Sequence, residues 1–336
     1  MAKRIGSSAI ELEKDVRIVS YASVVGPKES DGPLSECFDR KFEDELIGEK
    51  TFEKAESKLQ QLAVHTALKK ASLRPDEVDA VFGGDLLDQC IGSSYGLRDF
   101  EIPFVGLYGA CSTMALGLLS AALSVDGGWS KRSVAVTSSH FCSSERQFRF
   151  PLEYGGQRTP TAQWTVTGSG AAVVGAGGQG VRIKSVSIGK IIDLGVTDMS
   201  NMGAAMAPAA WNTISGFFES TGTGCSDYDL VLKGDLGFFG SEMLKWIAQK
   251  HGVSLENHDD CGKLIFDRER QDVHSGGSGC GCAASVLCSY ILKKMESGEL
   301  NNILFCATGA LMSTTSSKQG ETIPGIAHLL HLISDK

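Results

Sequence analysis

A pattern that occurs twice constrains this chain more than any other feature. A Gly-punctuated turn delivers Cys111 to an apolar helix that runs sixteen residues to Gly127. A second turn, Gly276-Gly277-Ser278-Gly279-Cys280-Gly281, delivers Cys282 to another, sixteen residues long to Gly298. After a short polar loop each helix is followed by a strand, V-A-V-T at 134–137 and I-L-F-C at 303–306. A duplication on this scale predicts two similar α/β halves facing each other rather than a solenoid. We place them at residues 1–179 and 180–336. Ligand sites in such folds lie beyond the strand ends, where helix N-termini converge. The turns before Cys111 and Cys282 are therefore expected to meet at one pocket.

The rest of the chain reads as elements of those halves. Residues 16–25 (V-R-I-V-S-Y-A-S-V-V) form a buried strand, and 26–52 a polar excursion. Residues 52–71 carry an amphipathic helix with Leu59, Leu62, Ala63, Thr66 and Ala67 on one face. Strands follow at 80–84, 102–106, 133–138 and 168–175, with a long loop from 141 to 165. In the second half, strands are expected at 181–192, 228–233, 264–266, 302–308 and 322–333. Helices are expected near 204–222, 238–251 and 282–296.

Composition narrows the class. The 336 residues carry a formal charge of −8, which argues against nucleic acid and against a polybasic membrane patch. The ten cysteines form no disulfide framework, and Cys280-Gly281-Cys282 lacks the second pair or histidines of a zinc site, so no metal and no cofactor is expected. A reducing compartment fits best. M-A-K-R-I-G-S-S has no signal-peptide core. No run approaches 18 apolar residues, so no membrane span is expected.

Cys111 has two readings. A thiol at a helix N-terminus feels the positive end of the dipole, which favours thiolate and a nucleophilic or ligand-facing role. A buried free thiol is also a common structural residue.

These residues together resemble the thiolase superfamily, which includes the ketoacyl synthases. The likeness covers nearly the whole chain. Ala110-Cys111-Ser112 sits where the superfamily carries its acyl-accepting cysteine, and Gly168-Ser169-Gly170-Ala171-Ala172 is similar to its G-D-G-A-G turn, with Ser169 in place of the acid. The segment 73–81 (L-R-P-D-E-V-D-A-V) resembles its helix-to-strand junction. The resemblance implies a five-layer α-β-α-β-α fold and a homodimer. Residues 274–285 and 319–328 are similar to a sporulation branch of the superfamily. That branch works with a membrane channel moving dipicolinic acid, or its calcium complex, into the developing spore.

Condensation chemistry needs donors near the sulfur, usually His and Asn. Where the resemblance implies the His, after the strand at 228–233, the chain has Lys233, Gly234 and Asp235; where it implies the Asn, it has Cys280. His274-Ser275-Gly276-Gly277 has the form of a thiolase H-x-x-G with shifted spacing. His274 is then either a displaced relic near Cys111 or an ordinary loop histidine.

The expectation is a pocket that binds and does not catalyse. Cys111, His140, Lys233, Asp235, His274 and Cys280 are its candidate residues, with Lys233 and helix ends holding carboxylates. His140 has the bland reading of a hydrogen-bonded core histidine, and Lys233 with Asp235 that of a solvated pair. Arg146, Arg149 and Arg158, interleaved with Phe148, Phe150, Tyr154 and Trp164, would cover the pocket or form a dimer contact. The implied location is the cytoplasmic face of the spore inner membrane, held peripherally. The rival expectation is an acyltransferase using Cys111 and His274; a third is a scaffold without a ligand.

Overall fold

The computed structural model describes residues 2–148 and 157–336. Ten principal strands form one continuous sheet path. In the first half they are β1 (Val16–Val25), β2 (Ala80–Gly84), β3 (Phe104–Gly106), β4 (Arg132–Ser139) and β5 (Gly168–Ala176). In the second they are β6 (Val181–Ser187), β7 (Leu230–Lys233), β8 (His258–Asp260), β9 (Asn302–Ala310) and β10 (Gly325–Ile333). The spatial order is β3-β2-β4-β5-β1 and then β6-β10-β9-β7-β8. The two runs are the same topology read outward from a shared seam. That seam is thin: β1 and β6 pair only through Ile18 with Val181 and Arg17 with Arg182.

Strand alternation makes five layers. Val134 and Val136 of β4, with Val81 of β2, face an outer helix α1 (Phe52–Lys70), joined on that side by the short α2 (Ile91–Leu97). Phe82 and Ala135 point the other way, onto α3 (Thr113–Gly127). In the second half, Leu232 and Phe305 face the same middle layer as α3. Val231, Leu304 and Cys306 face outward onto α4 (Met202–Thr221) and α5 (Gly237–Lys250). The middle layer is completed by α6 (Cys280–Val286), continued through a π turn at Leu287–Ile291 into α7 (Leu292–Ser297). A helix walled on both sides has no polar face to spare, which explains why α3 is apolar nearly all round. Contact is close enough that a Cβ at Gly170 of β5 would lie 2.4 Å from the Ala284 carbonyl of α6.

Several expectations are corrected. The strand from 181 stops at Ser187, and 188–200 is largely irregular surface chain. Residues 264–266 are not a strand. Asp260 caps a short helix at Cys261–Leu264, and Ile265 and Phe266 are apolar because they plug the middle layer. The strand there is His258–Asp260, a polar edge triplet with no apolar signature. The loop after β4 begins with a helix at Phe141–Phe148. Residues 110–127 do reach the length and hydropathy of a membrane span, contrary to the reading from the sequence. In the fold this is the middle-layer helix, buried between the two sheets.

Candidate functional site

The two Gly-led turns are built around each other. After β3 the chain turns through Ala110, held at a left-handed φ of 51°, into a 3₁₀ turn at Ala110–Ser112 that opens α3. Ser112 Oγ donates to Gly109 O at 2.6 Å and Thr113 Oγ1 to Ala110 O at 2.6 Å, so the turn satisfies its own carbonyls. The end of β9 presses against it, and a Cβ at Gly309 would sit 2.6 Å from the Gly109 carbonyl. From the other half, Gly279 (φ 103°) leads into Cys280. The Cys280 thiol donates to Ser138 O at 3.0 Å, and Thr137 Oγ1 donates to Cys280 O at 3.1 Å. Cys111, Cys280 and Leu86 pack as one buried cluster.

Asp235, two residues past β7, is held against the turn before Cys280. It is fully buried and accepts from Gly279 N at 2.9 Å and Thr308 Oγ1 at 3.0 Å. The charge of the same carboxylate bears on the Cys111 thiol. Burial pushes the Asp235 carboxyl up to about 6, and burial with the facing carboxylate pushes the Cys111 thiol well above its ordinary value. Burial raises Cys280 as well, with the Asp85 and Glu56 charges adding to it. Helix placement alone argues for thiolate at Cys111; desolvation and a like charge outweigh the dipole here.

Cys111 lines a cavity of about 290 Å³. Leu86, Met202, Leu311 and Met312 give it apolar walls; Ser278, Ser313, Ser316 and Tyr108 supply hydroxyls. The lining residues include no Lys, Arg, His, Asp or Asn. Ser313 caps α8 (Thr314–Lys318), the short helix beside the opening.

Of the residues expected here, Cys111, Asp235 and Cys280 come together. The other three do not. Lys233 is fully buried but faces outward with Val231 and Cys306, beneath α4 and α5, because the two-residue period of β7 turns it away from the middle layer. Its ammonium donates to the Val231 carbonyl beside Asp260, and burial lowers it to about 7. It is neither a carboxylate receptor in the cavity nor a solvated loop partner of Asp235.

His140 is a core histidine. Its Nδ1 accepts from Cys142 N at 3.2 Å, its Nε2 donates to Glu45 O at 2.7 Å, and its ring lies 5.3 Å from that of Phe52. His274 is a loop histidine held by Thr159 O at 2.7 Å and Asp272 at 3.1 Å, at a left-handed φ of 50°. Neither contact is with Cys111.

Arg158 pairs with Asp272 at 2.6 Å and stacks on Trp164, which Phe141 covers at 3.8 Å; Arg146 pairs with Glu53. Arg146, Arg158 and Trp164 are not cavity-lining residues. The Phe148 side chain, Arg149, Phe150 and Tyr154 fall outside the described residues.

The sequence reading missed Thr308 and the Leu311–Ser316 wall. The rule that ligands sit beyond strand ends points to both, since they lie at and just past the C-terminal end of β9.

A family model described as stage V sporulation protein AD (SpoVAD) matches residues 6–333. The chain belongs to the stage V sporulation protein AD family. It is 45% identical over 327 residues to the stage V sporulation protein AD of Bacillus subtilis (strain 168), covering 97% of this chain and 96% of that one. The fold is shared with 3-oxoacyl-[acyl-carrier-protein] synthase III from Aquifex aeolicus VF5, at 13% identity, TM-score 0.57 and coverage of 95% and 99%. Synthase III from Pseudomonas aeruginosa PAO1 is similar at 14% identity, TM-score 0.60 and 96% and 99% coverage. Cerulenin-bound OleA from Xanthomonas campestris matches at 13% identity, TM-score 0.60 and 96% and 97% coverage. The thiolase-like architecture expected from the sequence is therefore the one observed, in a sporulation family.

Proposed function

We propose that this member of the SpoVAD family is a non-catalytic receptor for a small planar dicarboxylate, dipicolinic acid or its calcium complex. It would hold the ligand in the Cys111 cavity for uptake through a membrane channel complex of the same sporulation system. The observation that carries the reading is Asp235. At the place where a condensing enzyme needs a hydrogen-bond donor beside the sulfur, this chain has a buried carboxylate whose charge bears on the thiol. A carboxylate there opposes both a thiolate nucleophile and the oxyanion of a thioester reaction.

A cavity of 290 Å³ is at the lower end of ligand-site volumes, matched to a single-ring molecule. The Ser278, Ser313, Ser316 and Tyr108 hydroxyls would take the carboxylate oxygens that Lys233 cannot reach. A homodimer fits the exposed edge strand β3, whose Phe104 and Val105 stand 39% and 40% exposed. The channel partner and a peripheral place on the cytoplasmic face of the spore inner membrane rest on the family resemblance.

Calorimetric titration of the purified protein with dipicolinate, with and without calcium, tests the reading. Saturable heat that is lost in Ser316→Trp, which fills the cavity, is expected. No heat at millimolar ligand rejects it.

Cys111 facing a cavity in a synthase fold favours a second reading, acyl transfer. Intact-mass measurement after incubation with acyl-CoA separates the two, because only a transferase gives an adduct that Cys111→Ala abolishes.

A further inference from the structure

Behind the Cys111 wall of the cavity, the backbone N–H of the turn before Cys280 is taken by a buried carboxylate. Gly279 immediately precedes Cys280, which packs against Cys111. Its N–H donates at 2.9 Å to Asp235 Oδ2. The same carboxylate takes the Thr308 hydroxyl at 3.0 Å on its other oxygen. Gln163 Nε2 donates to the Asp235 carbonyl at 2.7 Å and to Gly277 O at 2.8 Å, which ties the Asp235 backbone to the turn before Cys280. Asp235 is thus fixed from β9, from the Gly-rich turn and from the Gln163 segment.

We propose that Asp235 is a latch on Cys111: it occupies the Gly279 N–H beside the Cys111–Cys280 cluster and sets a negative charge near the thiol, so the sulfur stays a neutral wall of the cavity. This rests on the non-catalytic reading and deepens it, because it names the residue responsible for the silence. The latch is local. Burial raises the Cys280 and Cys282 thiols of α6 well above the ordinary value as well. Asp260, the other carboxyl whose charge couples to Asp235, is engaged by Leu236, Gly237 and Gly262 N–H and faces Lys233. Cys111 and Asp235 are thus the pair whose proton placement decides reactivity. Neutralising Asp235 removes the like charge and frees Gly279 N–H, while an amide at the same position can itself donate.

The probe is iodoacetamide. Cys111 loses its proton to the buffer, the thiolate displaces iodide, and a carbamidomethyl thioether forms. Labelling of Cys111 is followed by peptide mass in a Cys280→Ala background across pH 6 to 10. The wild-type residue should label slowly, with a rate still rising at pH 10. Asp235→Asn should label at least tenfold faster at pH 8, with its midpoint moved to lower pH. Asp235→Ser, smaller and neutral, should move the same way, and a thermal melt of each variant checks folding.

Unchanged Cys111 labelling in both folded neutral variants overturns the latch while leaving dipicolinate binding standing. Unfolding of both variants also overturns it, since Asp235 is then a structural residue first. Fast labelling of the wild-type thiol at pH 7 removes the latch and the non-catalytic reading together. A calorimetric failure to bind ligand with slow wild-type labelling removes only the receptor.

Discussion

At the scale of single residues, the site turns on which face of a strand a side chain occupies and what charge it meets there. Lys233 and Asp235 are two positions apart, yet one is sealed beneath α4 and α5 and the other is held by Gly279 and Thr308 beside the Cys111 turn. Lys233→Met should therefore cost stability and spare ligand affinity. The variant removes the ammonium's hydrogen bond to the Val231 carbonyl and its attraction for Asp260, a loss of about 1–3 kcal/mol. A urea denaturation midpoint that falls, beside an unchanged calorimetric affinity, is the expected outcome.

Asp235 carries a pH signature of opposite origin. Its folded value, about 6, lies above the ordinary carboxylate value. Its contribution is full below about pH 4 and is lost as pH rises through 6, amounting to about 3 kcal/mol at most. Asp235→Asn should flatten stability between pH 4 and 6, measured by denaturation at each pH.

Legibility in the sequence followed the same division. Cys111, Cys280 and Asp235 were readable because a Gly-led turn and a strand end place them whichever way the strand faces. Lys233 was not, because L-V-L-K is buried on both faces and the alternation that would orient it is hidden. His274 and His140 were ambiguous because a histidine's role depends on partners from distant segments, Thr159 and Glu45.

At the scale of elements, the site depends on backbone packed against backbone. Gly279 takes a φ of 103°, and a Cβ there would meet Ser139 Oγ at 2.6 Å. Gly279→Ala combines a left-handed backbone with a clash, and should lower stability by at least about 2 kcal/mol and weaken ligand binding. Ala110 offers the converse. It holds a φ of 51° with a side chain, so Ala110→Gly should relieve about 1 kcal/mol of strain and raise the melting temperature. The helices were legible wherever their apolar residues had a period or a Gly boundary, as at 52–70 and 113–127. The edge strand His258–Asp260 had neither, since parallel pairing with β7 is its only reason to be extended.

At the scale of the whole molecule, buried carboxyls set the response to pH. Burial lifts Glu29 and Glu56 to about 8 each. Both favour the folded state when protonated, so their contribution is present below about pH 4 and is lost as pH climbs through 8. Glu56 sits in a network with the Ser138 hydroxyl at 3.0 Å and the Ser143 hydroxyl at 2.6 Å. Glu56→Gln keeps the size and drops the charge, and should raise stability at pH 8.5 relative to pH 5, read as a smaller difference between the two melting temperatures.

The thin seam between the two half-sheets has a consequence for how the chain is made. Only two residue pairs join β1 to β6, so the halves are held by the helices they enclose. A ribosome that has released residues up to about 180 has supplied every strand of one sheet, with α3 leaning on it and its opposite flank bare. The segment 110–127 as a whole has the length and hydropathy of one that could cross a bilayer. The nascent protein thus passes through an interval in which it invites chaperones or membranes, ended only when the downstream sheet arrives to cover it. Synthesised alone, residues 1–179 should be recovered as aggregate, and co-synthesis with 180–336 should return them to the soluble fraction.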